Sequence, residues 1–217
     1  MKALVILSGG LDSTTLLYDV ISQGYEVQAL SFNYGQKHKK EIDCAKATCQ
    51  ELGIPHKIVS LNVLNELASS SLTRDSIEVP EGHYTASNMK STVVPNRNMV
   101  LISLAASYAI SEGISKIFYG AHSGDHAIYP DCRPEFVKEI QDVLKICDYL
   151  PIELEAPYLT LTKGDILSIG LKLGVDYSQT WTCYNGREKA CGKCGSCTER
   201  LEAFEKNNTK DPIKYEV

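Results

Sequence analysis

Ser8-Gly9-Gly10-Leu11-Asp12-Ser13-Thr14-Thr15 has the residue types and spacing of a site for an anionic ligand. Two adjacent glycines let a backbone approach a ligand with no Cβ in the way. The hydroxyls of Ser8, Ser13, Thr14 and Thr15 can donate to phosphate oxygens. An apolar run of strand length, residues 2–7, leads into the glycines. A helical pattern follows at once, with Leu16/Val20 and Leu17/Ile21 spaced i,i+4 and Gly24 as a stop signal. Strand, glycine turn and helix aim free N–H groups and the positive end of a helix dipole at an anion. The common triphosphate loop carries a lysine after its glycines, and this stretch carries none. It has Asp12, a carboxylate that would repel bare phosphate and that makes sense where a magnesium ion bridges it to the phosphates. A strand-to-helix turn without a ligand is the plain reading of two glycines alone; the full six-residue pattern in this context favours a nucleotide. The candidate nucleotide-binding set is Leu7, Ser8, Gly9, Gly10, Leu11, Asp12, Ser13, Thr14, Thr15, Leu16 and Leu17.

A second set of chemical groups is Cys183, Cys191, Cys194 and Cys197, spaced C-x7-C-x2-C-x2-C among small, turn-forming residues. Tight knuckles of this kind let four thiolates converge on one tetrahedral zinc ion, and a closed thiolate shell is structural rather than catalytic. An iron–sulfur cluster also takes four cysteines. Cys44, Cys49, Cys132 and Cys147 are scattered, and of these Cys132 is the candidate nucleophile because of its neighbours.

Those neighbours form the third set, His122-Ser123-Gly124-Asp125-His126-Ala127-Ile128-Tyr129-Pro130-Asp131-Cys132-Arg133-Pro134, directly after an apolar strand. Loops at strand ends carry function. Arg97, at the start of a helix, is either paired structurally or grips a carboxylate or phosphate. Lys163 lies in the opening stretch of a later helix that starts near Tyr158. The basic run Lys37-His38-Lys39-Lys40 at another helix start is either a solvated helix end or a hint of a nearby anion.

The elements that must position these groups alternate. Strands are expected at residues 2–7, 25–32, 57–61 and 116–121, and helices at 37–52, 99–111, 135–146 and 158–174, besides the one after the glycine turn. The helix at 99–111 is apolar all round, which predicts burial or a subunit interface. Residues 64–90 break the rhythm and read as a lid or a floppy insertion. The expected fold is α/β, a mostly parallel sheet with helices on both faces. Residues 1–180 form its nucleotide-binding domain, and residues 181–217 a small zinc-binding segment with a C-terminal helix.

Composition bounds the function. The chain has 217 residues, 43% hydrophobic, and a net charge of -5. That balance argues against direct binding of nucleic acid. No run reaches membrane-spanning length, and residues 2–7 are needed as a strand, so no signal peptide is read. A cytoplasmic location is expected, in which clustered cysteines bind metal.

Four motifs together carry a resemblance: the glycine turn, Phe32-Asn33-Tyr34-Gly35-Gln36, Tyr129-Pro130-Asp131-Cys132-Arg133-Pro134-Glu135-Phe136, and Thr182-Cys183-Tyr184-Asn185-Gly186 with the later cysteines. The first is similar to the PP-loop of the ATP pyrophosphatases, which cut ATP between the α and β phosphates and adenylate a carboxylate or carbonyl oxygen. All four closely resemble the 7-cyano-7-deazaguanine synthase family, over nearly the whole chain. The family often has Ser-Gly before Tyr-Pro, where this chain has Ala127-Ile128. The resemblance implies an adenine nucleotide alpha hydrolase-like fold and a homodimer. It implies a ligase that joins ammonia to 7-carboxy-7-deazaguanine, with ATP, Mg²⁺ and Zn²⁺, through adenylated acid and amide intermediates in queuosine-type biosynthesis. On this reading Asp12, Lys163 and Arg97 serve the chemistry, and Asp125, Tyr129, Asp131 and Arg133 the deazaguanine. Two other readings stand beside it: a PP-loop ligase that thiolates RNA, and a zinc-ribbon binding module without chemistry.

Overall fold

Lys2–Ile6 forms strand β1, whose Ala3 and Val5 point to one side and Leu4 to the other, all three fully buried. Burial on both faces is what a central parallel strand requires. This computed structural model describes residues 1–83 and 87–216. After β1 come helix α1 (Leu11–Ser22), strand β2 (Glu26–Asn33), helix α2 (Lys40–Leu52), strand β3 (His56–Ser60) and the short helix α3 (Asn62–Leu67). Then follow α4 (Arg97–Ser111), β4 (Lys116–Phe118), α5 (Pro134–Leu144), β5 (Glu153–Glu155), α6 (Lys163–Lys172) and α7 (Gly195–Lys206).

The five strands are all parallel, in the order β3-β2-β1-β4-β5. The chain winds outward from β1 to β3 and then crosses back to β4 and β5. The order therefore reverses between β1 and β4, and ligands of open α/β sheets bind outside the carboxyl ends of strands at such a point. Strand side chains alternate between two cores. Leu4, Leu30, Phe32 and Ile117 face one with Ile102 and Ala105 of α4 and Ile140 of α5. Val5, Ala29 and Phe118 face the other with Leu16 of α1, Ala45 of α2, Ile166 of α6 and Phe204 of α7. The expected parallel sheet with helices on both faces is what the chain forms.

Several expectations need correction. β5, three residues long, was not anticipated. α2 begins at Lys40, and the basic residues before it form a turn. α6 begins at Lys163 rather than near 158, because Thr162 and Asp165 make a reciprocal capping box there. α4 is not buried all round: Leu101, Ile102, Ala105, Ala106 and Ala109 are inside, while Met99, Ser103, Leu104 and Ser107 are exposed. Within residues 64–90, Leu72 and Met89 are fully buried in the first core, so these parts of the stretch are packed rather than floppy. Residues 84–86 of that stretch lie outside the described residues.

The C-terminal segment is anchored by Arg200, which is 0% exposed. Its Nε and Nη2 donate to the two carboxylate oxygens of Asp211 (2.7 and 3.0 Å), Nη1 to the hydroxyls of Thr180 and Thr182, and Nη2 also to the Tyr177 carbonyl. Removing one partner of such a buried pair strands the other charge, at a cost of about 3–5 kcal/mol. Arg200→Ala is accordingly expected to lower the thermal midpoint by ~10 °C or more, measured by differential scanning calorimetry.

Candidate nucleotide and substrate site

The turn between β1 and α1 is held by what glycine lacks. Gly9 has φ +92, and a Cβ there would lie 2.0 Å from the Glu41 carbonyl oxygen, so the start of α2 presses directly on the loop. Gly10, extended at φ −78 and ψ 171, is the N-cap of α1. Ser8 N and Gly9 N donate to the Ser13 hydroxyl (3.2 and 3.3 Å), and Gly10 N donates to that of Ser8 (3.1 Å). Loop amides thus converge on two hydroxyl oxygens that lie 2.9 Å apart. A phosphate oxygen brought to this spot meets the same donors and the N-terminus of α1. Leu11, Leu16 and Leu17 are core residues whose side chains pack inward, and Thr15 is occupied by Leu11 O and the Tyr177 hydroxyl. Of the predicted set, Leu7, Ser8, Gly10, Leu11, Asp12 and Ser13 line the cleft.

Asp12 is the hub of a charged cluster. Lys163 Nζ lies 3.2 Å from Asp12 Oδ2 and 2.8 Å from Glu199 Oε2, and the lysine is 6% exposed. Burial opposes the charge on Lys163, but Asp12, Glu199 and Asp125 outweigh it and hold the ammonium protonated far above the ordinary lysine range. Burial likewise works against the Asp12 carboxylate, and Lys163 and His122 overcome it and keep the acid ionised. Gly124 N donates to His122 Nδ1 (3.1 Å), which orients the ring with Nε2 toward the carboxylates. That atom faces Asp12 Oδ2 at 3.8 Å and Asp125 Oδ2 at 3.6 Å. Asp125 is pushed up by burial and by the nearby Glu199 and Asp12. Asp12 Oδ1 is buried without a hydrogen-bond partner among the described residues. An unshared carboxylate oxygen beside a phosphate loop suits a hard divalent cation.

The opposite wall is built by β2, α2 and α4. Arg97, first residue of α4, donates to the Tyr34 hydroxyl (3.2 Å) and to Asn98 Oδ1 (3.3 Å). Among the described residues no carboxylate lies within 4.0 Å of it, which leaves a half-buried cation in the cleft for an anionic group. Glu41, in the first turn of α2, lines the same space. Its Oε1 lies 3.4 Å from His38 Nε2. Burial, partly offset by Arg97 and Lys163, pushes the Glu41 carboxyl up to about 8. Burial and the Arg97 charge push His38 down to about 3, so its ring is neutral.

The structure brings Asp12, Lys163, Arg97 and Asp125 to one cleft. Asp131, Tyr129 and Arg133 do not line it. Asp131 Oδ2 accepts from Asn98 N (3.0 Å) and so caps the start of α4 beside Arg97. The buried Tyr129 hydroxyl bonds those of Thr92 and Tyr184, and Arg133 Nε donates to His126 O. Cys132 does line the cleft, but burial and then Asp125 and Asp131 push its thiol well above the ordinary range, which leaves the thiol protonated and a poor nucleophile. Sequence reasoning missed Glu41 and Glu199, acids on helices that bear no local mark of a site.

Cys183, Cys191, Cys194 and Cys197 are buried, with their sulfur atoms all within 4.8 Å of one another. Cys191 N donates to Cys183 Sγ, and Lys193 N and Cys194 N to Cys191 Sγ. Amide donors aimed at sulfur stabilise thiolate, the ligand form, so the four residues fit one tetrahedral ion. The last of them lies in the first turn of α7, two residues before Glu199.

Two solved structures share this architecture. NMN synthetase from Francisella tularensis is 13% identical, with a TM-score of 0.52 over 96% of this chain and 78% of that one. A predicted subunit of a tRNA methyltransferase from Methanocaldococcus jannaschii is 16% identical, with a TM-score of 0.51 over 100% of this chain and 92% of that one. The likeness is one of fold. Together with the glycine turn at the switch point, it defines an open α/β protein with a parallel sheet and a glycine loop placed to receive an anion. The chain belongs to the family described as Queuosine biosynthesis protein QueC, which it matches over residues 2–208. Among its relatives is the 7-cyano-7-deazaguanine synthase of Methanoregula boonei, 63% identical over 100% of both chains. Proteins of the same name from Caldicellulosiruptor saccharolyticus (64%, covering 100% of this chain and 96% of the relative) and Colwellia psychrerythraea (60%, 99% of each) are similarly close.

Glu199→Gln removes one of the two carboxylates that hold Lys163. The variant is expected to lower kcat by about 10-fold or more with a smaller change in the KM for nucleotide, and to keep its bound metal. Steady-state kinetics with metal analysis checks both.

Proposed function

We propose that the chain is an ATP-dependent carbon–nitrogen ligase that converts 7-carboxy-7-deazaguanine and ammonia into 7-cyano-7-deazaguanine. The observation that carries this reading is the full-length similarity to relatives of that one name. The cleft supplies the means. A carboxylate has a poor leaving group; ATP supplies the activation by adenylating first the acid and then the amide oxygen. Residues 8–13 would hold the phosphates that depart, and Asp12, whose Oδ1 has no hydrogen-bond partner among the described residues, would hold Mg²⁺, which would offset their charge. Lys163 offsets the charge of Asp12 and of the phosphates. Arg97, which has no carboxylate within 4.0 Å among the described residues, takes the acid group of the deazaguanine and fixes it near the loop. Positioning and charge stabilisation of this kind account for most catalysis of phosphoryl and nucleotidyl transfer.

The cysteine cluster holds Zn²⁺ in a structural role, which fits its closed shell. Residues 181–217 form its segment. The exposed Met99 and Leu104 on the outer side of α4 support a homodimer. A thiolating ligase needs a reactive thiolate outside the metal site, and burial lifts Cys44 and Cys49 to about 11. Cys132 is likewise held protonated.

Incubation with ATP, Mg²⁺, ammonium and the carboxy-deazaguanine is expected to release AMP and pyrophosphate and to give a product with the mass of the nitrile. Absence of AMP with this substrate would reject the reading. Asp12→Asn is expected to slow AMP release by about 100-fold or more. Stripping the metal with a strong chelator is expected to release one zinc ion per chain and to lower the thermal midpoint by ~10 °C or more.

A further inference from the structure

The proposed reaction places a demand on the cleft that the phosphate loop does not meet. Ammonia brings three N–H bonds to the substrate carbon, and a nitrile keeps none. Attack by ammonia on the adenylated acid forms the C–N bond, expels AMP and releases one proton. In the second half the amide oxygen bonds to the α-phosphorus of ATP, pyrophosphate departs, the C–N bond becomes C=N and a second proton leaves. AMP then departs with its C–O bond, C=N becomes C≡N, and the third proton leaves. Two of the three protons are thus lost in the second half, and a group beside the substrate carbon must accept them.

Most titratable groups of the cleft are otherwise engaged. Asp12 is locked to Lys163. Asp125 sits on the same side, against His122 and near Glu199. The Cys132 thiol is held protonated, and His38 is buried beside a cation. Glu41 differs. Its backbone is fixed under Gly9, which places the residue at the loop itself. Its side chain, 13% exposed, lines the cleft together with Arg97, the residue that meets the substrate carboxylate. The charged groups that face it are Arg97 from α4, Lys163 from α6 and Asp12 from α1, and the uncharged titratable ones are His38 from the turn before α2, Tyr34 after β2 and Cys44 of α2 itself.

We propose that Glu41 is the general base that accepts the nitrogen's protons in the amide-to-nitrile half of the reaction. The assignment rests on the functional reading above. Burial sets the carboxyl at about 8, near the operating pH, where a group both takes up and gives back protons efficiently.

The test uses the full chain with 7-amido-7-deazaguanine, ATP and Mg²⁺, without ammonium, so that ammonium ionisation has no part in the rate. Glu41→Gln is expected to slow nitrile formation from the amide by about 100-fold or more, while acid-dependent exchange of pyrophosphate into ATP stays near wild type. Given the acid, ATP and ammonium, the variant is expected to accumulate amide, with one AMP per product rather than two. The wild-type rate on the amide is expected to rise through pH 8. Equal loss in both halves, or an unchanged nitrile rate, overturns the assignment. Should Glu41→Gln not fold, Glu41→Asp keeps a carboxylate: slower nitrile formation with normal exchange supports the proposal, and equal slowing of both overturns it. If the wild-type enzyme makes no nitrile from the acid, the functional reading falls and this assignment falls with it.

Discussion

The ammonium of Lys163 is buried, and the arrangement of the site follows from how its charge is met. A lone charge withdrawn from water costs several kcal/mol, so it persists only with close partners. Lys163 has two, Asp12 from the phosphate loop and Glu199 from α7. Three helices that are far apart in sequence are thereby held in one register. The lysine cannot sit where it does unless the loop is formed and α7 is docked. Arg200, the next residue along α7, docks that helix through its own buried pair with Asp211. The cysteine cluster at the start of α7 lies two residues from Glu199, so a metal held there would also fix the helix that presents this acid to Lys163.

The cleft has two poles. On the loop side, three carboxylates (Asp12, Asp125 and Glu199) surround one ammonium, which suits a metal-bridged polyphosphate. On the α4 side, Arg97 stands over Tyr34, with no carboxylate in ion-pair contact among the described residues. Under the proposed function, the second pole would take the substrate acid and the first a cation with its phosphates. The reacting atoms would then meet between β1 and β4, where the sheet order reverses. Glu41 lies between the poles because α2 starts directly against Gly9, a contact that no side chain at position 9 would permit.

Much of this was legible in the residues, for identifiable reasons. The glycine turn carries its own geometry, and the four cysteines theirs. The strand–helix alternation is long-range but each element has a local pattern. What was not legible depends on tertiary contacts. β5 is three residues long, too short for any periodicity to register, and is a strand because β4 pairs with it. Glu41 and Glu199 look like solvated helix acids until the fold turns them inward. Asp131 lies beside Cys132 and Arg133 and invites a ligand role, but its carboxylate caps a helix that begins some 30 residues earlier in the chain. The start of α6 could have been placed correctly, since Thr162 and Asp165 carry the spacing of a capping box.

The central claim is that the turn between β1 and α1 seats the departing phosphates while the substrate acid is held across the cleft. A crystal structure with a non-cleavable α,β-methylene analogue of ATP and Mg²⁺ tests it most directly. The account predicts β- and γ-phosphate oxygens within hydrogen-bond distance of the amides of residues 9–13, with the metal on Asp12 and the α-phosphorus open toward Arg97. A nucleotide bound elsewhere, or one whose phosphates turn away from that loop, would contradict it.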